Sequence, residues 1–452
     1  GLLLGLSVTA IAAALPAREA AFSAPVSVQQ RSTLERRDRR RLPLIAAVGL
    51  GLMGSGQMLL SGTGGSLVQG FAGLMLQILG YCLLVPGLLL LSSLLLLKLL
   101  SRARLLGPRL ALRGISGGIS RTGLAVAALT VAVSVTVGVG VMVGSFRDSV
   151  AQWLDHSLSG DVYVASRVAH QLPLSPQLQH ALRQLPATDR VTRSRRVRIE
   201  TEFGPMSLLA RDFSPTADAE YRLLQGDDSA WTALRTGHGV FISEPLAWRQ
   251  RLSPGDSIQL QTAHGPDRFP VLGVFTDYSS SRGMVLISLD AYRSAWGDHA
   301  VSGLALKVGE GGDPAALLAT VRSVLDEQAK GFDAVSNRSI REHSLQVFDR
   351  TFAITRVLRL LAILVAFIGV LSALMALQLE RGRDYAVLRS TGMTPSQLAR
   401  LILLQTALLG LMAGLFALPL GWLMSEVLID VINRRSFGWT MAHFLPPAVL
   451  FE

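Results

Sequence analysis

Two apolar runs, residues 356–379 and 399–425, are each long enough to cross a bilayer as a helix, and only the charged stretch ERGRDYAVLRSTGMTPSQL at 380–398 separates them. A chain so built is a membrane protein, and the charged stretch must turn the polypeptide around outside the lipid. Its first part, RDYAVLRST, reads as a short helix closed by Gly392. Thr394, Pro395 and Gln397 then spell a capping box, with proline at the first helical position where its missing N–H does no harm. The prediction is a sharp corner feeding the span that begins near Leu401. Such a corner suits the passing of force from a partner beneath the membrane. An ordinary solvated loop between two spans fits the same residues.

Further apolar runs occur at 43–62, 71–97 and 122–146, and residues 1–14 read as the end of a truncated span. Basic residues gather beside them. Arg31, Arg36, Arg37, Arg39, Arg40 and Arg41 crowd the segment 15–42, and 98–121 carries six basic residues and no acidic one. An arginine at the bilayer centre costs roughly 2.5–3.5 kcal/mol on insertion scales, and cytoplasmic flanks collect such residues. Both segments are therefore assigned to the cytoplasm. Within 98–121, Leu105, Arg109, Leu112 and Ile115 with Leu106, Leu110 and Arg113 suggest an amphipathic helix at the headgroup level. The span 122–146 then leads outward, which makes 147–350 extracytoplasmic, 380–398 cytoplasmic and 426–452 an outer segment ahead of another span. Gly140/Gly144 and Gly410/Gly414 are spaced for close helix contact.

Residues 147–350 alternate between element types, so an α+β domain is expected. DVYVAS and RRVRIETEF read as strands, the second with Val197, Ile199, Thr201 and Phe203 on one side. Ser175–Pro176 and Asp313–Pro314 open helices, the latter facing Leu317, Leu318, Val321 and Leu325 inward. GVFISE, DSIQLQT, FPVLGVFTDY and GMVLISL suggest a meander, with TDYSSSRG (276–283) most simply a hairpin turn and a binding tip as the alternative. The fold class is a helical transmembrane bundle with a large α+β extracytoplasmic domain, built as one mixed sheet unit plus an inserted strand-rich unit.

Several chemistries are excluded. The only lysines are Lys98, Lys307 and Lys330, and none follows the glycine pattern of a phosphate-binding loop, so a nucleotide site is not expected. The net charge of +11 hugs the spans while 147–350 is slightly acidic, a distribution that speaks against nucleic acid. The span centres lack Asp, Glu, Lys and His, which removes the usual ion relay. The histidines lack metal-ligand spacing, Ser243–Glu244 is no nucleophile elbow, and the single cysteine, Cys82, lies in an apolar run where packing is its role. No catalytic residue, metal or cofactor is expected.

The elbow, the order of one span, a large outer domain and two spans, and the tail PAREAAFSAPVSVQQR, with Gln30 where leucine is usual, together resemble the FtsX-like permeases of ABC transporters, the MacB and lipoprotein-releasing type. The resemblance implies that residues 1–31 end one family unit, that 102–452 form most of a second, and that 43–97 is the two-span linker of a ten-span subtype in the bacterial cytoplasmic membrane. It further implies a separate cytoplasmic ATPase subunit, membrane lipid, an envelope protein or lipoprotein partner, and a dimeric permease arrangement. Arg383, Tyr385, Leu388, Arg389, Gly392 and Thr394 become the coupling residues. A non-transporting relay that activates an envelope enzyme stays open beside transport.

Overall fold

The computed structural model describes residues 10, 14, 31–62, 65–102, 106–167, 172–213, 221–329, 331–380 and 382–444. All but residues 10 and 14 of the expected truncated span at 1–14, most of the basic segment up to residue 30, and the tail beyond 444 lie outside the described residues. The first helices are α1 (Arg31–Ser61), α2 (Leu67–Leu99), α3 (Leu106–Gly117) and α4 (Ile119–Ser157). Next come β1 (Val162–Ser166), α5 (Pro176–Arg183), β2 (Thr188–Thr201), β3 (Gly204–Arg211), β4 (Leu223–Gln225) and α6 (Asp228–Arg235). They are followed by β5 (Val240–Ser243), α7 (Glu244–Gln250), β6 (Ser257–Thr262), β7 (Gly265–Phe275), β8 (Met284–Ser288) and α8 (Leu289–Trp296). Then come β9 (Gly303–Val308), α9 (Pro314–Gln328), β10 (Phe332–Ser336), α10 (Asn337–Thr351), α11 (Ala353–Glu380), α12 (Gly382–Ser390) and α13 (Pro395–Glu426). A π-helical turn, Val427–Asn433, carries α13 into α14 (Arg434–Phe437). Among the described residues, five stretches are helical and apolar enough to cross a membrane: Arg41–Ser61, Leu67–Leu99, Thr122–Ser157, Asn337–Gly369 and Pro395–Phe437.

The chain divides into two compact units, and residues 71–136 and 360–422 form most of the first. Within it, α1 and α2 meet on a seam of glycines. A Cβ added at Gly80 would lie 2.5 Å from the Gly49 carbonyl oxygen, and one at Gly56 would lie 2.8 Å from that of Gly73. The glycines recur seven residues apart on each helix, the period of a left-handed seam, and bare backbone there lets the helices touch without hydrophobic force. Gln77 Nε2 donates to Gln57 Oε1 at 2.7 Å across the same pair. By contrast, nothing lies within 4 Å of a Cβ added at Gly410 or Gly414. The helix α3 differs from the expected headgroup-level helix. Its Ala111, Leu112 and Ile115 are buried, the two larger side chains in a cluster with Val85, Leu89, Val126, Leu409 and Met412, while Leu106 is exposed. Arg109 donates to the carbonyls of Leu100 and Ser101, which α2 leaves unpaired where it ends. Sequence amphipathicity alone cannot tell a lipid surface from a bundle surface.

The second unit holds most of 137–359 and the end of the chain. Its sheet has ten strands in the order β10-β1-β9-β2-β3-β8-β5-β7-β4, with β6 pairing β2 and β7. The 14-residue β2 serves both halves, so the expected inserted unit is continuous with the first sheet. One core gathers Val162, Val164, Leu304 and Leu306 under Leu178, Leu182, Leu317, Val321 and Leu325 of α5 and α9. Another joins Leu208, Ile242, Leu260, Val274 and Val285. The meander is a correction: β7 and β8 do not pair, because β5 lies between them, parallel to β7 and antiparallel to β8. Residues 276–283 are therefore a crossover and not a hairpin turn. All four residues of β5 are buried, and the chain turns at Ser243 straight into α7.

The helix carrying 122–146 does not stop at the edge of the apolar run. It continues to Ser157 and pairs with α10 in antiparallel register, Arg147 with Asp349 at 2.9 Å and Asp155 with Arg341 at 2.7 Å. The expected boundary at 147 thus falls inside a two-helix stalk.

Candidate functional site

The corner between α12 and α13 closes two helix ends within four residues. Gly392 has φ +99°, a region open to glycine, and a Cβ there would meet no atom within 4 Å. Backbone conformation, not crowding, is what requires glycine. The Met393 N–H donates to the Leu388 carbonyl and the Gly392 N–H to that of Arg389, both at 3.1 Å, the pair of bonds of a Schellman closure. Next, the Thr394 N–H donates to Gln397 Oε1 at 3.0 Å and the Gln397 N–H to Thr394 Oγ1 at 3.4 Å. Gly392 and Thr394 thus occupy the positions expected of them, with only Met393 between the two motifs. On α12, Arg389 is exposed and Tyr385 and Leu388 are half-buried, less open than their sequence setting suggested. Val387, which sequence reasoning passed over, is 57% exposed. Arg383 lies on the α12 backbone; its side chain is outside the described residues.

A second site, not foreseen, joins five distant segments where the stalk meets the outer sheet. Tyr278 of the crossover stands edge-on to Phe146 (centroids 6.1 Å), Trp153 (6.0 Å) and Trp439 (5.7 Å). Phe146 in turn meets Phe348 and Phe352 at 5.1 and 5.9 Å. The Tyr278 hydroxyl donates to the Thr440 carbonyl at 2.6 Å, and burial pushes its pKa up to about 12, so it stays a donor. Glu244, at the start of α7, accepts from the Thr440 N–H and hydroxyl, both at 3.0 Å. Burial raises its pKa, against the lowering effect of those donors and of Arg434. Arg434 lies over Trp248 at 4.2 Å, and Gly438, at φ +81°, passes so near that a Cβ would sit 2.8 Å from Pro245 Cα. A small cavity of about 200 Å³ beside Tyr278 is lined by Ser149, Trp153, His156, Arg222 and Thr440 among others. Proline after Ser243–Glu244 was the one sequence signal for α7. Nothing local announces Thr440 as its partner.

Among the described residues no group of three or more His, Cys, Asp or Glu could hold a metal ion. The corner closes two helix ends with local bonds, and the junction ties together segments far apart in the chain.

Residues 356–451 match the FtsX-like permease C-terminal model and residues 122–324 the MacB-like periplasmic core domain. An ABC transporter permease protein of Mycobacterium tuberculosis is 38% identical over 471 residues, covering 98% of this chain and 54% of the relative. The chain thus spans about half the length of that relative. Among solved structures, the periplasmic region of MacB from Actinobacillus actinomycetemcomitans is 13% identical, covers 42% of this chain and 94% of that one, and has a TM-score of 0.32. The extracellular domain of the transporter YknZ from Gram-positive bacteria is 11% identical, covers 39% and 99%, and has a TM-score of 0.29.

Proposed function

This chain belongs to the FtsX/MacB-type permease family, and on that premise we propose that it is the non-catalytic permease subunit of an ABC transporter, multi-pass in the bacterial cytoplasmic membrane. A separate cytoplasmic ATPase subunit docks on α12. ATP hydrolysis there is relayed to the outer domain, which extracts or exports a hydrophobic or lipidated substrate, and permease units work as a pair.

The observation that carries this reading is the doubly closed corner at 388–397. A solvated loop needs neither a Schellman closure nor a capping box, whereas a joint that transmits displacement needs both helix ends fixed. Arg389 and Val387, with the open halves of Tyr385 and Leu388, supply the aromatic, arginine and aliphatic groups that dominate docking energetics. Arg383 adds a basic residue to the same helix.

The test is reconstitution of the chain with its ATPase subunit in nanodiscs. Stimulation of ATP hydrolysis by a purified lipid or lipopeptide is the expected result. A stable complex with an envelope hydrolase and no such stimulation would replace transport by the signal-relay reading.

A further inference from the structure

The arginines of β2 fall into two groups. Arg193 and Arg195 are answered by Asp212 at 2.7 Å and Asp298 at 2.9 Å. Arg196 and Arg198, two residues apart on one face of the strand, have no carboxylate within ion-pair distance among the described residues, and neither has Arg282 in the crossover. These three exposed arginines line one groove of about 610 Å³ together with Met206, Ser207 and Ser280. Among the described residues, no acidic side chain lines it. The buried Asp277 lies within electrostatic reach of Arg196 and offsets part of its charge, which leaves Arg198 and Arg282 uncompensated. Three guanidinium groups held round one hollow, with hydroxyls beside them, suit a phosphate, whose oxygens accept paired N–H donors.

The source of that phosphate follows from where the crossover stands. Tyr278 packs among Phe146, Trp153 and Trp439. Phe146 closes the apolar run 122–146, and Phe352 immediately precedes α11. Tyr and Trp gather at the bilayer interface, and Tyr278, Trp153 and Trp439 cluster on Phe146 at the edge of the apolar run, which points to the crossover standing at headgroup level. Arg282 is four residues further on, at most about 14 Å of extended chain. We infer that the Arg196–Arg198–Arg282 groove holds the phosphate-bearing headgroup of an anionic membrane lipid at the outer leaflet. This names a lipid contact on the outer domain and does not depend on docking of an ATPase at α12.

The experiment measures binding of short-chain phosphatidylglycerol, phosphatidylcholine, glycerol phosphate and polyglutamate to the full chain in a non-ionic detergent. The wild type should prefer phosphatidylglycerol to phosphatidylcholine by about tenfold or more, since each arginine near an anionic headgroup contributes roughly fivefold. The basic cytoplasmic segments also attract anionic lipid, so the deciding quantity is the change caused by Arg196→Gln/Arg198→Gln/Arg282→Gln. That triple variant should lose at least about tenfold in phosphatidylglycerol affinity, with the phosphatidylcholine affinity and the thermal melt unchanged. The corresponding triple lysine variant should keep most of the preference. Survival of the full preference in the glutamine variant would overturn the assignment. Glycerol phosphate binding as tightly as the lipid, or polyglutamate binding that the lipid does not displace, would overturn it as well. ATP hydrolysis enters none of these readouts, so failure here leaves the coupling proposal standing, and the reverse.

Discussion

The corner at 388–397 and the aromatic junction around Tyr278 both hold helices at fixed angles, by opposite means. At the corner every bond joins residues at most five apart, from Leu388–Met393 to Thr394–Gln397. At the junction, Glu244 reaches Thr440 across 196 positions and Tyr278 reaches it across 162. A local joint survives changes elsewhere in the chain, because its partners are tied to it covalently. A junction built from five segments depends on all of them being seated, so one substitution there should propagate further.

The largest test of this contrast is Gly438→Val. Left-handed backbone and a Cβ 2.8 Å from Pro245 Cα act together, at an expected cost of about 3 kcal/mol or more to the seating of 437–440. Trp439 fluorescence and protease resistance should both change in the purified chain. Gly392→Val comes next, with strain of about 1–3 kcal/mol and no steric clash. Hydrogen exchange should quicken at Thr391, Gly392 and Met393 while the outer domain's amides keep their protection. Equal spread of the two effects would erase the distinction between a local and a distributed joint.

The Glu244 carboxyl sharpens the same comparison through pH. Its folded pKa is raised by burial, so its contribution to stability is fully present below the ordinary glutamate range and declines as pH rises through the raised value. Glu244→Gln keeps an acceptor for Thr440 without the buried charge and should melt at or above the wild-type temperature at neutral pH. Glu244→Ala leaves two donors unanswered and should cost about 1–3 kcal/mol. Melting curves of the three proteins across acidic to neutral pH decide it. The smallest effect belongs to Thr394→Ala, about 1 kcal/mol for a lost cap, with Thr394→Ser near wild type. It should appear as faster exchange at the start of α13.

What the sequence disclosed follows the same division. Gly392, the Thr394–Gln397 box and the caps at Ser175 and Asp313 were legible because each is a chemical relation between near neighbours, and all four stand as read. The crossover was misread for a physical reason. Two apolar runs with Asp, Ser and Gly between them describe a hairpin equally well until β5, some thirty residues earlier, is known to lie between them. The glycine seam of α1 and α2 was available in its heptad spacing, yet the more familiar four-residue spacing pointed to Gly410 and Gly414, where an added Cβ would meet nothing within 4 Å. The junction left no local signature, because aromatic residues scattered from Phe146 to Trp439 become a cluster only once the sheet and the stalk are in place.

The central claim is that the corner couples an ATPase to the membrane helices, and the most direct measurement is ATPase co-purification and activity in nanodiscs with Tyr385→Ala/Arg389→Glu. The double variant should lose stimulated hydrolysis and most ATPase retention, while membrane insertion and the outer domain's melt stay as in the wild type. Wild-type retention and wild-type stimulated activity in that variant would contradict the account and return residues 380–398 to a solvated loop between two spans.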